Sequence, residues 1–153
     1  MKDVIIIGGG PAGILCAAAI KENAKEMVNV TIVERLEKIG KKILATGNGK
    51  CNFTNKNLSP RRYNNPKFVT PTLSKYGYKE IVEYLESIGL LSKEISEGRM
   101  YPYTESATTV LEVMRMHLNR LGVNVKTNYE VNKVVEKNGR YLVYNKNQRN
   151  YYL

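Results

Sequence analysis

The chain has 153 residues, enough for one domain with its own core and short for two complete ones. Its 24 Lys and Arg against 14 Asp and Glu give a formal charge of +10, which favours anionic partners without choosing among nucleotides, nucleic acid and membrane surfaces; no block reaches five or six like charges in a row. Cys16 and Cys51 are too few for a disulfide scaffold and lack CxxC spacing, no signal-cleavage pattern follows the first apolar stretch, and no run approaches the roughly 20 apolar residues of a membrane span, so a cytoplasmic setting with reduced thiols and no membrane partner is expected.

Taken in chain order, Val4 to Ile7 is a β-branched run ended by glycines, the pattern of a parallel strand covered on both faces. Ala12 to Ala24 has helical spacing at Ile14, Ala17 and Ala18, and Cys16 is expected to pack with them as a small apolar side chain. Val30 to Val33 is a second strand ending at Glu34, so the first third of the chain predicts a βαβ unit. From Ile39 to Pro71 the periodicity dissolves, and the stretch is expected to form a long polar loop in which Pro60 and Pro66 discourage regular structure. Tyr78 to Ile88 returns to a helical period with Gly89 as its stop, and Arg99 to Tyr103 reads as a short extended piece. Ser106 to Leu121 carries Ala107, Val110, Leu111, Met114, Leu118 and Leu121 on one stripe. Val123 to Lys126 predicts a strand, and Glu130 to Val135 with Arg140 to Tyr144 predict a hairpin turning at Asn138-Gly139. The ending, NKNQRNYYL, is polar and then abruptly aromatic, as in a chain that stops partway through an element.

The first chemical signal is Gly8-x-Gly10-x-x-Gly13 between strand and helix, with Glu34 closing the next strand 21 residues after Gly13. Gly8 permits the tight turn, Gly10 admits a pyrophosphate close to the backbone, and Gly13 lets the helix approach the strands. Pro11 suits the first turn of the helix, where its missing N–H costs nothing. Glu34 is placed to accept from adenosine ribose hydroxyls and disfavours a 2′-phosphate, which points to FAD or NAD rather than NADP.

A second polar, glycine-rich run, Ala45 to Asn55, reads ATGNGKCNFTN. It is not a Walker loop, because Leu44 stands where the first glycine is required and Cys51 replaces the hydroxyl residue. It is not a metal site either, since one cysteine among asparagines supplies too few ligands. Cys51 is open to three readings: a thiol packed beside a ligand, a plain structural thiol, or a nucleophile whose pKa Lys50 lowers. His117, the single histidine, reads as a satisfied or surface helix residue, and the dispersed tyrosines lack a nucleic-acid strand motif, so no nucleic-acid partner is expected.

IIIGGGPAG, then VERLEKIGKKILATGNGKCNFTN, then GRMYPYTESATTVLEVMRMHLNRLGV resemble the N-terminal portion of the YhiN-like or BaiN-like bacterial FAD-dependent oxidoreductases, whose second motif runs about as GRKLLxTGGGRCNxTN. Lys41, Asn48 and Lys50 stand where that family has Arg, Gly and Arg; Asn48 still suits a left-handed backbone. The resemblance implies an α/β fold of the Rossmann-like FAD/NAD(P)-binding three-layer type, a parallel sheet with helices and a β-hairpin or meander, truncated relative to far longer relatives and forming one domain over 1–153 with its polar loop at 39–71. It implies FAD, with NAD(P)H as a candidate electron donor. The pyrophosphate would lie at Gly8, Gly9, Gly10, Pro11, Ala12 and Gly13, the adenosine ribose at Glu34 beside Arg35, and the adenine near Val131. Lys42 and the run Thr46, Gly47, Asn48, Gly49, Lys50, Cys51 and Asn52 would serve the flavin end. The expected function is hydride or electron transfer through the flavin to or from a small substrate. The alternatives are an NAD-dependent dehydrogenase and a non-catalytic nucleotide-binding module, with homo-oligomers forming through an exposed sheet edge. No residue of the sequence stands out as a general base, because nothing pairs a titratable side chain with a predicted cleft near the flavin.

Overall fold

The computed structural model describes residues 2–24, 27–145 and 148–152, with side chains through residue 145. The described residues fall into two compact units: unit 1 holds Met1–Lys42 and Arg115–Leu153, unit 2 holds Ile43–Met114.

In unit 1, β1 (Lys2–Ile7) leads through α1 (Pro11–Ala24) to β2 (Val28–Val33). β2 pairs in parallel with β1, from Lys2↔Val28 to Ile7↔Val33, and on its other side with β6 (Asn124–Lys126). The sheet order is β1-β2-β6, so the most buried strand, carrying Val30, Ile32 and Val33, is the central one. Strand alternation sends Ile6 toward α1, where Ile14, Ala17 and Ala18 are buried, and Ile5 and Val33 to the other face. That second face is covered by β7 (Val131–Lys137) and β8 (Arg140–Asn145), through a cluster of Val33, Tyr129 and Val143 with Ile5 and Val131 against it. β7 and β8 are antiparallel and turn at Asn138 (φ 55°) and Gly139 (φ 74°), the two left-handed residues an Asn-Gly hairpin requires. β9 (Gln148–Tyr152), within the polar-then-aromatic stretch, adds a third antiparallel strand beside β8 to form a meander. Helix, parallel sheet and meander make a Rossmann-type three-layer arrangement.

Cys16 is exposed, contrary to its expected packing. Two residues along a helix is a rotation of about 200°, which carries it away from the stripe of Ile14, Ala17 and Ala18.

α2 (Lys41–Leu44) starts in unit 1 and ends in unit 2. Unit 2 contains a three-stranded antiparallel sheet, β3 (Thr54–Asn55), β5 (Arg99–Pro102) and β4 (Ser92–Glu94), in that spatial order. Its buried apolar residues come from α4 (Tyr78–Ser87) and the turn after it, from β5, and from the first half of α5 (Ala107–Arg120): Leu85, Ile88, Leu90, Met100, Val110 and Leu111 among them. Gly89, at φ 103°, ends α4 as the sequence predicts.

The stretch 39–71 is not the loop that its prolines suggest. It holds α2, a 3-10 turn at Thr46–Gly49, β3, a second 3-10 turn at Pro60–Arg62 and the start of α3 (Pro66–Lys75). Pro66 occupies the first turn of α3, where proline is pre-organised rather than disruptive, and Asn65 caps it by accepting from Phe68 N–H through Oδ1 at 3.2 Å.

Candidate dinucleotide site

In unit 1 the glycine fingerprint connects β1 to α1. Gly8 has φ 104° and donates its N–H to Val33 O at 2.8 Å, which turns the chain sharply off β1 while keeping it attached to β2. Ile14 N–H bonds back to Gly10 O at 3.0 Å and opens the ladder of α1. A Cβ at Gly13 would lie 2.0 Å from Gly8 O and 3.3 Å from the Ile6 side chain, so only glycine lets α1 approach the turn this closely. A Cβ at Gly9 would lie 2.3 Å from the Ile39 side chain. Gly10 differs from all three: its φ is not left-handed and a Cβ there would meet nothing within 4 Å. Pro11 and Ala12 are exposed beside it.

Glu34, just past β2, is held in place from two sides. Its Oε2 accepts from Gly9 N–H at 2.7 Å and its Oε1 from Leu36 N–H at 2.9 Å. A carboxylate offers about four lone-pair sites, so two acceptor positions remain for further donors. The backbone around it is tied to unit 1's other strands, with Glu34 N–H donating to Lys126 O at 2.8 Å and Tyr129 N–H donating to Glu34 O at 2.9 Å. Val131, half-buried at the start of β7, packs against the same cluster as Val33 and Tyr129. Arg35, next to the acid in the chain, is exposed, and Lys42 in α2 is exposed too.

Three residues that sequence reasoning did not assign to the site support the turn from behind. Gly40, at φ 76°, donates its N–H to Gly9 O at 2.7 Å, and Arg115 donates from Nη2 to Ile39 O at 2.8 Å while the Ile39 side chain fills the space under Gly9. Only the Ile-Gly pair five residues after Glu34 left a trace in the sequence; nothing there connects Arg115 to it.

In unit 2 the run Thr46–Asn52 forms a tight, left-handed turn. Gly47 (φ 54°), Asn48 (φ 53°) and Gly49 (φ 80°) are all in the left-handed region, with Asn48 the non-glycine residue that tolerates it. Lys50 N–H bonds to Gly47 O at 3.1 Å, Cys51 N–H to Thr46 O at 2.9 Å, and Thr46 Oγ1 donates to Ile43 O at 2.6 Å. A Cβ at Gly47 would lie 2.5 Å from Asn52 N. Asn52 orients its amide so that Nδ2 donates to Thr54 O at 2.9 Å and Met100 O at 3.1 Å. Cys51 is buried at φ 60°, and burial pushes its thiol pKa up. Lys50 does not activate it: the ammonium pairs with Glu105 Oε2 at 2.8 Å, and Lys93 holds Glu105 Oε1 at 2.8 Å. The nucleophile reading of Cys51 therefore loses its physical basis. In unit 1, His117 Nε2 lies 2.7 Å from Glu22 Oε1, as a satisfied helix residue should.

Among the described residues no group of three His, Cys, Asp or Glu is placed to hold a metal ion, and no helix is long and apolar enough to cross a membrane.

Comparison with known proteins gives this geometry a family. The chain is 41% identical over 133 residues to the 3-dehydro-bile acid delta(4,6)-reductase of Clostridium scindens, covering 86% of this chain and 32% of the relative. It is 33% identical over 135 residues to the ribosomal RNA dihydrouridine synthase of Haemophilus influenzae, covering 87% of this chain and 33% of that protein. The chain thus spans about a third of the length of the curated relatives it matches. Among solved structures, the open conformation of a flavocytochrome c3 fumarate reductase superposes with a TM-score of 0.68 over 99% of this chain and 32% of its own, at 19% identity, a likeness of fold. The family model described as the HI0933-like protein Rossmann domain matches residues 2–152, and the chain belongs to that family.

Proposed function

We propose that this chain is the cofactor-binding portion of an FAD-dependent oxidoreductase, with residues 1–153 forming one FAD/NAD(P)-binding domain. Gly10 carries the reading. The left-handed turn accounts for the glycine at Gly8, the Ile39 side chain for Gly9 and the Gly8 carbonyl for Gly13, but neither backbone angle nor packing accounts for Gly10. A pyrophosphate drawn against the N-terminus of α1 does account for it, because a Cβ would stand where the phosphate oxygens approach.

In this reading the residues from Gly8 to Gly13 receive the pyrophosphate, Glu34 with its two remaining acceptor positions binds the adenosine ribose beside Arg35, and Val131 lies against the adenine. Lys42 and the Thr46–Asn52 turn serve the flavin end by family resemblance. When bound, the flavin supplies two-electron chemistry, and this chain orients it and excludes a 2′-phosphate on the adenosine through the Glu34 carboxylate. NAD(P)H is the proposed electron donor.

The names of the relatives narrow the reaction. Dihydrouridine is uridine with its ring C=C bond saturated, and a delta(4,6)-reductase is named for the double bonds it reduces. We infer that the reaction class is reduction of a C=C bond activated by a nearby carbonyl, a net gain of a hydride and a proton drawn from reduced nicotinamide and solvent. Of the two substrate classes, the +10 charge favours polyanionic RNA over a bile acid with its single carboxylate, against the expectation from the sequence motifs of no nucleic-acid partner.

The test is to purify the chain, record its visible spectrum, release any bound nucleotide for chromatography, and titrate the apoprotein with FAD and with NAD. A yellow protein that releases FAD, or one that takes it up in preference to NAD, is expected. Colourless protein that takes up no FAD refutes the reading, and preference for NAD replaces it with the dehydrogenase.

A further inference from the structure

The charge of this chain is not spread evenly. Residues 38–79 contain ten Lys and Arg and no Asp or Glu, while the remaining residues carry 14 of each sign, so the whole excess of +10 resides in that one stretch. Six of those cations lie in residues 56–79, within unit 2. Lys56 is neutralised by Glu94, but Arg61, Arg62, Lys67 and Lys79 have no ion pair among the described residues.

The same segment exposes aromatic rings. Tyr63 is 40% exposed, Tyr76 52% and Phe68 79%. No residue of α3 is buried; Val69 and Leu73, one turn apart, are half-buried and form its inner stripe. Lys75 Nζ lies 5.2 Å from the centre of the Tyr76 ring, so cation and ring already share a face there. An exposed phenylalanine beside unpaired cations contributes nothing to the core and carries a hydration cost, which a stacking partner removes.

We propose that the 3-10 turn Pro60–Arg62, Tyr63 and α3 form a docking surface for single-stranded RNA, with Arg61, Arg62 and Lys67 on phosphates and Phe68 and Tyr63 stacking on bases. This rests on RNA as the substrate class named above. A single strand is the fitting partner because a duplex offers its phosphates but not the faces of its bases. An anionic membrane fits less well: Val69 and Leu73 already face the protein, leaving Phe68 as the one large apolar side chain of α3 for a bilayer to receive.

The experiment measures binding of a fluorescein-labelled oligouridylate to the chain by anisotropy across a salt series, beside duplex RNA of equal length and phosphatidylserine vesicles. Each phosphate contact adds about 0.7 to the salt slope for single strands, so Arg61→Glu with Arg62→Glu is expected to lower that slope by about 1.4 and weaken binding at low salt. Phe68→Ala is expected to weaken binding about tenfold with the slope unchanged, and Phe68→Tyr to restore it, since stacking needs a ring and not a charge. Circular dichroism establishes that each variant is folded. Folded variants that bind RNA as the parent does overturn the surface and leave RNA as substrate standing. A parent chain that binds no oligouridylate at low salt overturns both, and tighter vesicle binding abolished by Phe68→Ala replaces RNA with a membrane.

Discussion

Gly10 and Gly13 stand three residues apart in one fingerprint, yet the chain needs them for different reasons. Gly13 is an internal requirement, since a Cβ would sit 2.0 Å from Gly8 O; Gly10 has open space where its Cβ would go. Gly13→Ala is therefore expected to destabilise the fold by about 1–3 kcal/mol, the usual cost of overpacking, and to lower the urea midpoint. Gly10→Ala is expected to leave that midpoint nearly unchanged while weakening FAD uptake tenfold or more, and normal FAD binding by the Gly10→Ala variant would remove the argument for a pyrophosphate at this turn. The sequence made both glycines legible because their spacing is a local pattern. It gave Gly9 a place at the pyrophosphate by resemblance but no packing reason, and that constraint comes from Ile39, thirty residues away. Cys51 was legible only as a set of alternatives: whether a thiol is activated depends on its burial and on where the neighbouring ammonium points, and Lys50 points to Glu105.

At the scale of elements, α1, α4, α5 and the strands β1, β2 and β5 to β8 were read from local pattern, while β3, β4, β9 and α3 were not. The apolar stripe of α3 is only Val69 and Leu73, too sparse for a period to stand out, and two prolines argue against a helix unless the first is read as an N-terminal residue. Asn65-Pro66 is that signal, a cap followed by proline at the first helical position. Asn65→Ala should cost about 1 kcal/mol through loss of the bond from Phe68 N–H, read as a lower urea midpoint, with Asn65→Asp retaining most of the stability because its carboxylate caps equally well. An unchanged midpoint for the alanine variant would mean that packing against the preceding 3-10 turn, and not the cap, sets the start of α3. The hairpin at Asn138-Gly139 shows the opposite case, in which two residues specify a turn by their backbone freedom alone.

For the molecule as a whole, charge ties the acid response to the native state. Lys41 holds the Glu37 carboxyl below its ordinary range, Lys56 does so for Glu94 and Arg99 for Glu97, while Lys50 and Lys93 together lower Glu105 from 4.5 to about 2. Each folded pKa lies below its unfolded value, so the stability these groups contribute is present above the ordinary carboxylate range and lost as pH falls, for Glu105 between 4.5 and about 2. All are solvent-exposed, so the effect is modest and screened by salt. Measured as urea midpoint against pH, Glu105→Gln should flatten the acid limb in that window, and high salt should flatten it for the parent; a limb unaffected by either would show that these pairs form without stabilising the fold.

The βαβ order, the fingerprint, the acid after β2 and the hairpin were all written in the sequence, because each depends on side-chain period or backbone freedom within a few residues. The family followed from the same local motifs. What tertiary structure alone decided were relations between distant positions: Glu34 accepting from Gly9 N–H, Arg115 holding the Ile39 carbonyl, and Glu105 taking Lys50 away from Cys51. Such pairings depend on where the chain returns in space, and a carboxylate, a guanidinium or an ammonium has the same identity in the sequence whichever partner the fold supplies.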